Sequence, residues 1–377
     1  MSIFNVLSLI GGLALFLFGM NYMGSSLERL GGGKFESILE RMTNSRIKGV
    51  LLGAAVTGVI QSSSAVTVMA VGFVNSGIMD LHQVIGIIMG ANIGTTVTAW
   101  LLSLTGIKGG TLFLQLLKPS SFTPVLAVIG LVMYMFTKSD KKKNIGSILI
   151  GFSVLMYGME AMSGAVAPLK DVPEFTGVLT KFSNPLLGVL AGMVLTAVIQ
   201  SSSASVGILQ ALSVTGSITV ASAFPIILGQ NIGTCITAII AAVGTNKNAK
   251  RTAVVHLTFN IIGVALAMIL FYGANAIFDL PIVQSTANGA TIATIHTLFN
   301  AFATVVLFPF GKQLEKLACL IIPDKYDDKK EELIDERFLM SPSFALDKVK
   351  ESCDQMGELA EKNVNLCLDF VRVYSHT

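Results

Sequence analysis

A nine-residue stretch occurs twice in the chain, at Thr57–Ala65 (TGVIQSSSA) and at Thr196–Ala204 (TAVIQSSSA). Eight of its nine positions are identical, and the copies lie 139 residues apart. Both are set in apolar surroundings, where unpaired amides and hydroxyls are costly. Glutamine and serine supply neutral donors and acceptors, which suit a dehydrated Na⁺ or a small oxyanion. The candidate binding residues are Gln61, Ser62, Ser63, Ser64, Gln200, Ser201, Ser202 and Ser203.

A second duplicated motif, Gly-x-Asn-Ile-Gly-Thr, follows each copy at Gly90–Thr95 and Gly229–Thr234, with the same offset. Its glycines permit a close approach or a broken helix. Its asparagine and threonine oxygens are predicted to add ligands to the same site. The residues assigned from this stretch are Asn92, Thr95, Thr96, Asn231 and Thr234.

A third motif, His-x-x-Phe-Asn, occurs at His256–Asn260 and His296–Asn300. A histidine within a membrane helix is a functional candidate, although hydrogen bonding between helices is the commoner role of such side chains. We therefore assign His256, Asn260, His296 and Asn300 a supporting role.

The composition is that of a membrane protein. Of the 377 residues, 52% are hydrophobic and 13% charged, against about 25% charged in soluble domains. The mean hydropathy is +0.71. We predict an all-α polytopic membrane protein with apolar crossings near 3–23, 83–103, 122–137, 144–162, 223–243, 252–272 and 289–310. Phosphate-cradling P-loops are absent, and basic residues sit in loops, which argues against ATP hydrolysis and nucleic-acid binding.

The duplication predicts an inverted-repeat secondary transporter. The first repeat spans 1–137, with a re-entrant helical hairpin at about 49–76, and the second spans 138–276, with a hairpin at about 188–214. Three crossings per repeat is an odd number, so the second repeat starts on the opposite membrane face. One additional transmembrane helix is expected within 277–312.

The distribution of Lys and Arg predicts the orientation. The basic loops, among them KSDKKK at 138–143 and NKNAKR at 246–251, all fall on one side when the crossings are counted. Cytoplasmic loops are enriched in Lys and Arg. We therefore expect an extracellular N-terminus and a cytoplasmic C-terminus.

Residues 323–377 form a charged tail with apolar positions at helical spacing. One amphipathic helix does not make a domain. The tail is either the start of a longer regulatory domain or an association helix, and it is where we expect a regulatory partner or a second copy of the chain to bind.

Together, the duplicated Gln-Ser-Ser-Ser, the Gly-x-Asn-Ile-Gly-Thr that follows each copy and the His-x-x-Phe-Asn pair resemble the sodium-dependent phosphate cotransporter family, in its type II or bacterial branch. The tail resembles the opening of a PhoU-like domain. The resemblance implies a plasma-membrane symporter, not an enzyme, that imports inorganic phosphate with Na⁺ by alternating access. Both ions would bind between the two hairpins, with Na⁺ as the coupling ion and no other cofactor. Cys235 departs from the repeat, because the first half has Thr96 there.

Two alternatives from other classes remain open on the residues alone. One is an intramembrane serine hydrolase in which a clustered serine is the nucleophile and His256 or His296 the base. The duplication argues against it, because a single nucleophile needs no inverted copy. The other is a phosphate sensor with a vestigial transport site and a signalling tail.

Overall fold

The structure is a computed structural model that describes residues 3–31, 34–42, 45–106, 118–174, 177, 181–323 and 342–374. In these ranges the chain is almost entirely helical. The helices are α1 (Ile3–Gly31), α2 (Lys34–Met42), α3 (Arg46–Ile60), α4 (Ser63–Asn75), α5 (Leu81–Ser103), α6 (Pro119–Phe136), α7 (Asp140–Val166), α8 (Pro185–Ile199), α9 (Ser202–Ser213), α10 (Val220–Ala241), α11 (Lys247–Phe278), α12 (Gly289–Leu307), α13 (Gly311–Ile321) and α14 (Pro342–Tyr374).

Seven helical stretches of the described chain are long and apolar enough to cross a membrane. They include α1, α5, α6, α7, α10 and α11, and the seventh runs from Gly289 to Ile321 through α12 and α13. Each coincides with one of the apolar stretches read from the sequence. The predicted all-α polytopic membrane fold is therefore confirmed.

Both Gln-Ser-Ser-Ser copies break an apolar segment into two helices. Gln61 ends α3 with φ +63°, and Gln200 ends α8 with φ +58°. A left-handed backbone costs a residue with a side chain about 1–2 kcal/mol, so two equivalent glutamines that adopt it mark sites under special constraint. Each predicted hairpin region therefore contains two helices, and the first helix of each pair begins three residues before the predicted bound. That each pair turns back within a membrane stays a prediction.

The helix boundaries and turns of the first repeat recur 139 residues later. The bounds of α3 map onto those of α8 without a residue of difference. Gly77 and Gly216 both have φ +72° in the turns that follow α4 and α9. The Gln83 side chain accepts from the Asp80 N–H before α5, and the equivalent Ser222 accepts from Thr219 before α10. The duplicated sequence therefore folds twice into the same local structure.

Helices α1 and α7, which are equivalent in the two repeats, pack against each other through glycines. A Cβ at Gly12 would lie 2.8 Å from the Met162 nitrogen, and one at Gly151 would lie 2.7 Å from the Met23 nitrogen. Gly151 is the repeat equivalent of Gly12, and Met162 that of Met23. Such reciprocal contacts between antiparallel equivalent helices are those of a two-fold axis. They support the predicted inverted relation.

The long helices α5 and α10 form the interior of the bundle. In the first repeat α3 packs along α5, and in the second α8 packs along α10. The largest buried apolar cluster joins α5 to α11 and α12. Helices α5 and α10 carry the duplicated Asn and Thr residues, and each packs against the broken helix pair of its own repeat.

Helix α14 confirms that the tail contains a helix, and residues 324–341 of the predicted tail lie outside the described residues. Ala345, near its start, is buried in the same cluster as Leu39 of α2. Farther along, the predicted apolar stripe is uncovered, since Met356 is 66% and Leu359 60% exposed. The PhoU-like assignment stays a prediction.

Candidate functional site

A cavity of about 280 Å³ lies where the two broken helix pairs approach α1. Since a water occupies about 30 Å³ of liquid volume, this space is large enough for a small polyatomic ion with some of its water. Its lining includes all eight residues of the two Gln-Ser-Ser-Ser copies, which we call the first tip (Gln61–Ser64) and the second tip (Gln200–Ser203). Two stretches 139 residues apart thus form one site.

Each tip presents the N-terminus of a helix to the cavity. The Ser62 hydroxyl accepts from the Ala65 N–H at 3.1 Å, and the Ser201 hydroxyl accepts from the Ala204 N–H at 3.2 Å. These serines are therefore the N-caps of α4 and α9. The first two amides of each helix have no acceptor within the helix. Together with the partial positive charge of two helix N-termini, they make a local environment that favours an anion.

The same breaks expose the C-terminal ends of α3 and α8. The Gln61 side-chain amide donates to the Gly58 carbonyl, and the Gln61 N–H donates to the Thr57 carbonyl at 2.8 Å. The last carbonyls of each helix, those of Ile60 and Ile199 among them, have no amide within the helix. Helix C-terminal carbonyls carry partial negative charge and suit a cation. Each tip therefore offers both an anion-binding and a cation-binding end.

Thr98 on α5 joins the two tips and was missed by the sequence interpretation. Its hydroxyl donates to the Gln61 side-chain oxygen at 2.9 Å and accepts from the Ser203 hydroxyl at 3.4 Å. The side chain is 2% exposed. The available signal was its position just after the Gly-x-Asn-Ile-Gly-Thr motif, where Thr98 recurs as Thr237.

Helix α1 forms the remaining wall of the cavity. Among the described lining residues, Glu28 alone carries a formal charge. The sequence signal for this wall was weak, because of the five residues that α1 contributes only Met20 recurs in the repeat. The contributing residues are Met20, Asn21, Gly24, Ser25 and Glu28.

The polar residues predicted on α5 and α10 do not line this cavity. Their side chains bond within their own helices: Asn92 donates to the Ile88 carbonyl at 2.9 Å, and Asn231 donates to that of Ile227 at 2.8 Å. Thr95, Thr96 and Thr234 likewise donate to carbonyls of their own helices. Their role as ligands stays a prediction.

The His-x-x-Phe-Asn residues are buried in the bundle. Asn260 donates to the Cys235 sulfur at 3.4 Å and to the His256 carbonyl at 3.0 Å, which ties α11 to α10. Both ring nitrogens of His296 lack a hydrogen-bond partner in the described part of the chain. None of these residues lines the cavity between the tips. A supporting role stays a prediction.

The described residues contain no group of three or more His, Cys, Asp and Glu arranged to hold a metal ion. The cavity is instead lined by hydroxyls, amides and helix ends. Neutral oxygens of this kind suit a hard monovalent cation, whose ligands need not carry full charge.

The chain matches the sequence profile of the Na⁺/Pi-cotransporter family over residues 15–164 and 171–305. The chain belongs to this family. The matched region contains both tips and both copies of the His-x-x-Phe-Asn motif. Membership indicates phosphate transport, and it makes the chain a multi-pass membrane transporter rather than an enzyme. The serine hydrolase alternative therefore loses its support.

Some of the relatives are named for phosphate transport, and the name of one of them specifies export. An uncharacterized protein of Bacillus subtilis, YqeW, is 32% identical over 311 residues, which cover 82% of this chain and 96% of that protein. The putative inorganic phosphate export protein YjbB of Escherichia coli K12 is 22% identical over 361 residues, 95% of this chain. The chain spans 64% of the length of YjbB.

A human protein, sodium-dependent phosphate transport protein 2B, is 38% identical over 105 residues, which cover 26% of this chain and 15% of that protein. No solved structure matches the chain.

Proposed function

We propose that the protein is a Na⁺-coupled phosphate symporter that works by alternating access, with phosphate and Na⁺ bound between the two tips. The observation that carries the proposal is the single cavity lined by both Gln-Ser-Ser-Ser copies. Family membership supplies the substrate class. The geometry supplies a reason why this substrate needs two tips, because a tetrahedral oxyanion accepts hydrogen bonds from several directions at once.

Charge balance supports coupling to Na⁺. Phosphate is a charged oxyanion, yet no cationic side chain lines the described cavity, and its one formal charge is the carboxylate of Glu28. Two helix N-termini compensate only part of an anionic charge. Na⁺ bound at the carbonyl ends of α3 and α8 would supply the rest. In this scheme Na⁺ binds first and creates the phosphate site.

The reciprocal packing of α1 and α7 supports alternating access. In inverted-repeat transporters, one repeat rocks against the other around a fixed midplane site. The glycines at this crossing let the backbones of two equivalent helices approach each other closely. We place the protein in the plasma membrane with an extracellular N-terminus and a cytoplasmic C-terminus, on the distribution of Lys and Arg.

Purified protein in proteoliposomes tests the coupling. We expect labelled phosphate to accumulate under an inward Na⁺ gradient and to stop when K⁺ replaces Na⁺. Uptake of equal rate in both salts would contradict the proposal. The variants Ser63→Ala and Ser202→Ala should lower the rate. Ser76→Ala is the matched control, because the Ser76 hydroxyl bonds to the Gly72 carbonyl at the far end of α4.

Phosphate export is the second candidate, and the resemblance to YjbB over 95% of this chain favours it. A symporter is reversible, so the working direction follows the ion gradients. In cells that lack their own phosphate uptake, an importer raises net accumulation of labelled phosphate. An exporter instead speeds the loss of phosphate from preloaded cells, and that result would replace import with export.

A further inference from the structure

We propose that Thr98 and Thr237 are a pair of gating residues that exchange roles during transport. In the conformation seen here Thr98 joins the two tips, and in the oppositely open conformation Thr237 joins them. The inference rests on the proposed alternating-access function and assigns to it two residues outside the duplicated tips.

The first observation is the contact that Thr98 makes. Its hydroxyl links Gln61 of the first tip at 2.9 Å to Ser203 of the second tip at 3.4 Å. A hydroxyl can donate one hydrogen bond and accept another at the same time. Thr98 therefore couples both tips to α5 in one short chain of hydrogen bonds.

The second observation is that the equivalent chain in the other repeat is absent. By the 139-residue offset, Thr237 should join Gln200 to Ser64. Instead its hydroxyl donates to the Thr234 carbonyl of its own helix at 3.0 Å. In the described residues the Gln200 side chain has no hydrogen bond, and it is exposed. The same three residue types (Thr, Gln and Ser) therefore make different contacts in the two repeats.

The third observation is a second cavity, of about 250 Å³, lined in part by α7, Ser120 and Lys118. Helix α7 contributes Glu160 and Ser163, the repeat equivalents of Asn21 and Gly24, through which α1 lines the first cavity. The first cavity reaches both tips, whereas the second contains no tip residue. We therefore interpret the first cavity as an access route that reaches the tips, and the second as the equivalent route of the other repeat, which is closed before it reaches them.

These observations agree if the repeats exchange conformations. When the first route is open, the first repeat holds its tip through Thr98 and the second leaves Thr237 unused. Exchange of the two conformations would open the second route and bring Thr237 between Gln200 and Ser64. The Thr98 hydroxyl would then turn back to its own helix, as that of Thr237 does here.

Cysteine labelling measures which route is open. The reporters are Ser25→Cys, which lines the first cavity and is exposed, and Ser163→Cys, which lines the second cavity and has a buried side-chain oxygen in this conformation. Cys319, Cys353 and Cys367 are replaced by serine, and the buried Cys235 is kept. The protein is placed in nanodiscs, where a charged methanethiosulfonate reagent reaches both faces.

Thr98→Val removes the hydroxyl and keeps the branched shape. We expect it to lower the ratio of labelling rates, Ser25→Cys over Ser163→Cys, by at least about fivefold. The variant loses the hydrogen bond to Gln61 and the longer one from Ser203, and one neutral hydrogen bond alone corresponds to about fivefold. Thr237→Val should raise the same ratio. Thr98→Ser keeps the hydroxyl and should restore the parent ratio. Thr258→Val is the control, because the Thr258 hydroxyl bonds to Val254 and Val255 carbonyls of its own helix.

Ratios that move in the same direction for Thr98→Val and Thr237→Val, or that stay at the parent value for both, would overturn the exchange. Thr237 is only partly buried, so its variant keeps the test valid if Thr98→Val does not fold. Failure of the proposed function is distinguishable. Opposite shifts without Na⁺-driven phosphate uptake would leave the exchange intact with another substrate, and uptake without opposite shifts would refute the exchange alone.

Discussion

The two tips have the same four residues and the same backbone geometry, but their side chains have different partners. Gln61 is partly buried and held by Thr98, whereas the Gln200 side chain is exposed. Local sequence therefore determines the left-handed break and the serine cap in both copies. The arrangement of the repeats determines which tip is held. The two tips are therefore equivalent in sequence and backbone, but in one conformation of the protein their side chains make different contacts.

The largest effect tests the features that the two repeats share. Gly90→Ala and Gly229→Ala should each destabilise the fold by about 3 kcal/mol, the upper part of the range for overpacking. A Cβ would lie 2.7 Å from the Ala54 nitrogen at Gly90 and 2.9 Å from the Met193 nitrogen at Gly229. Thermal unfolding in detergent measures both. Gly11→Ala is the control, because no atom lies within 4 Å of its added Cβ.

If only one of the two glycine variants is destabilised, the repeats do not share their helix packing, and the comparison between the tips loses its basis.

The next effect tests the feature that differs between the repeats. Gln61→Ala should cost about 1–2 kcal/mol of stability, because it leaves the buried Thr98 hydroxyl without its acceptor. Gln200→Ala should change stability by less than about 0.5 kcal/mol, as exposed positions do. Chemical denaturation of the two variants in parallel gives the comparison. Equal losses would mean that the Thr98 contact does not hold the first tip.

A smaller and equal effect is expected at the caps. Ser62→Ala and Ser201→Ala should each cost about 1 kcal/mol, because each removes the acceptor for one helix N-terminal amide. Threonine at either position keeps an oxygen and should recover most of the loss. A cost at one cap only, measured by the same unfolding assay, would contradict the equivalent backbone geometry of the tips.

The smallest effect concerns the tail, whose helix α14 packs against α2. Ending the chain after Asp347 keeps the buried Ala345 and removes an exposed part of α14. Initial phosphate uptake should change by less than about twofold, because most of the described side chains that are removed are exposed. A complete loss of uptake would favour the sensor interpretation, in which the tail is part of the working unit.

Hydropathy and the 139-residue repeat were enough to predict the apolar membrane crossings and the helix breaks at the two Gln-Ser-Ser-Ser copies. A run of glutamine and serine within an apolar segment can be tolerated only where the helix opens and its polar groups are satisfied. That requirement holds whatever the rest of the fold does, so it can be read from one stretch of sequence.

The role of Thr98 could not be predicted in the same way. Its counterpart Thr237 has the same residue type and the same place in the repeat yet bonds within its own helix, so the repeated pattern does not determine which threonine contacts a tip. The α1 wall was missed for another reason. Ser25 and Glu28 have no equivalents of the same type in the second repeat, and repetition was the signal on which the site prediction depended.

The most direct test of the central claim is equilibrium binding of labelled phosphate in Na⁺ to the parent, to Ser63→Ala, to Ser202→Ala and to the double variant. If the two tips form one site, each chain binds one phosphate, and either single variant lowers the affinity for it. A single site also predicts a coupling energy above about 0.5 kcal/mol between the two positions. Two phosphates per chain, or strictly additive losses, would show that the tips bind independently and would contradict a single shared site.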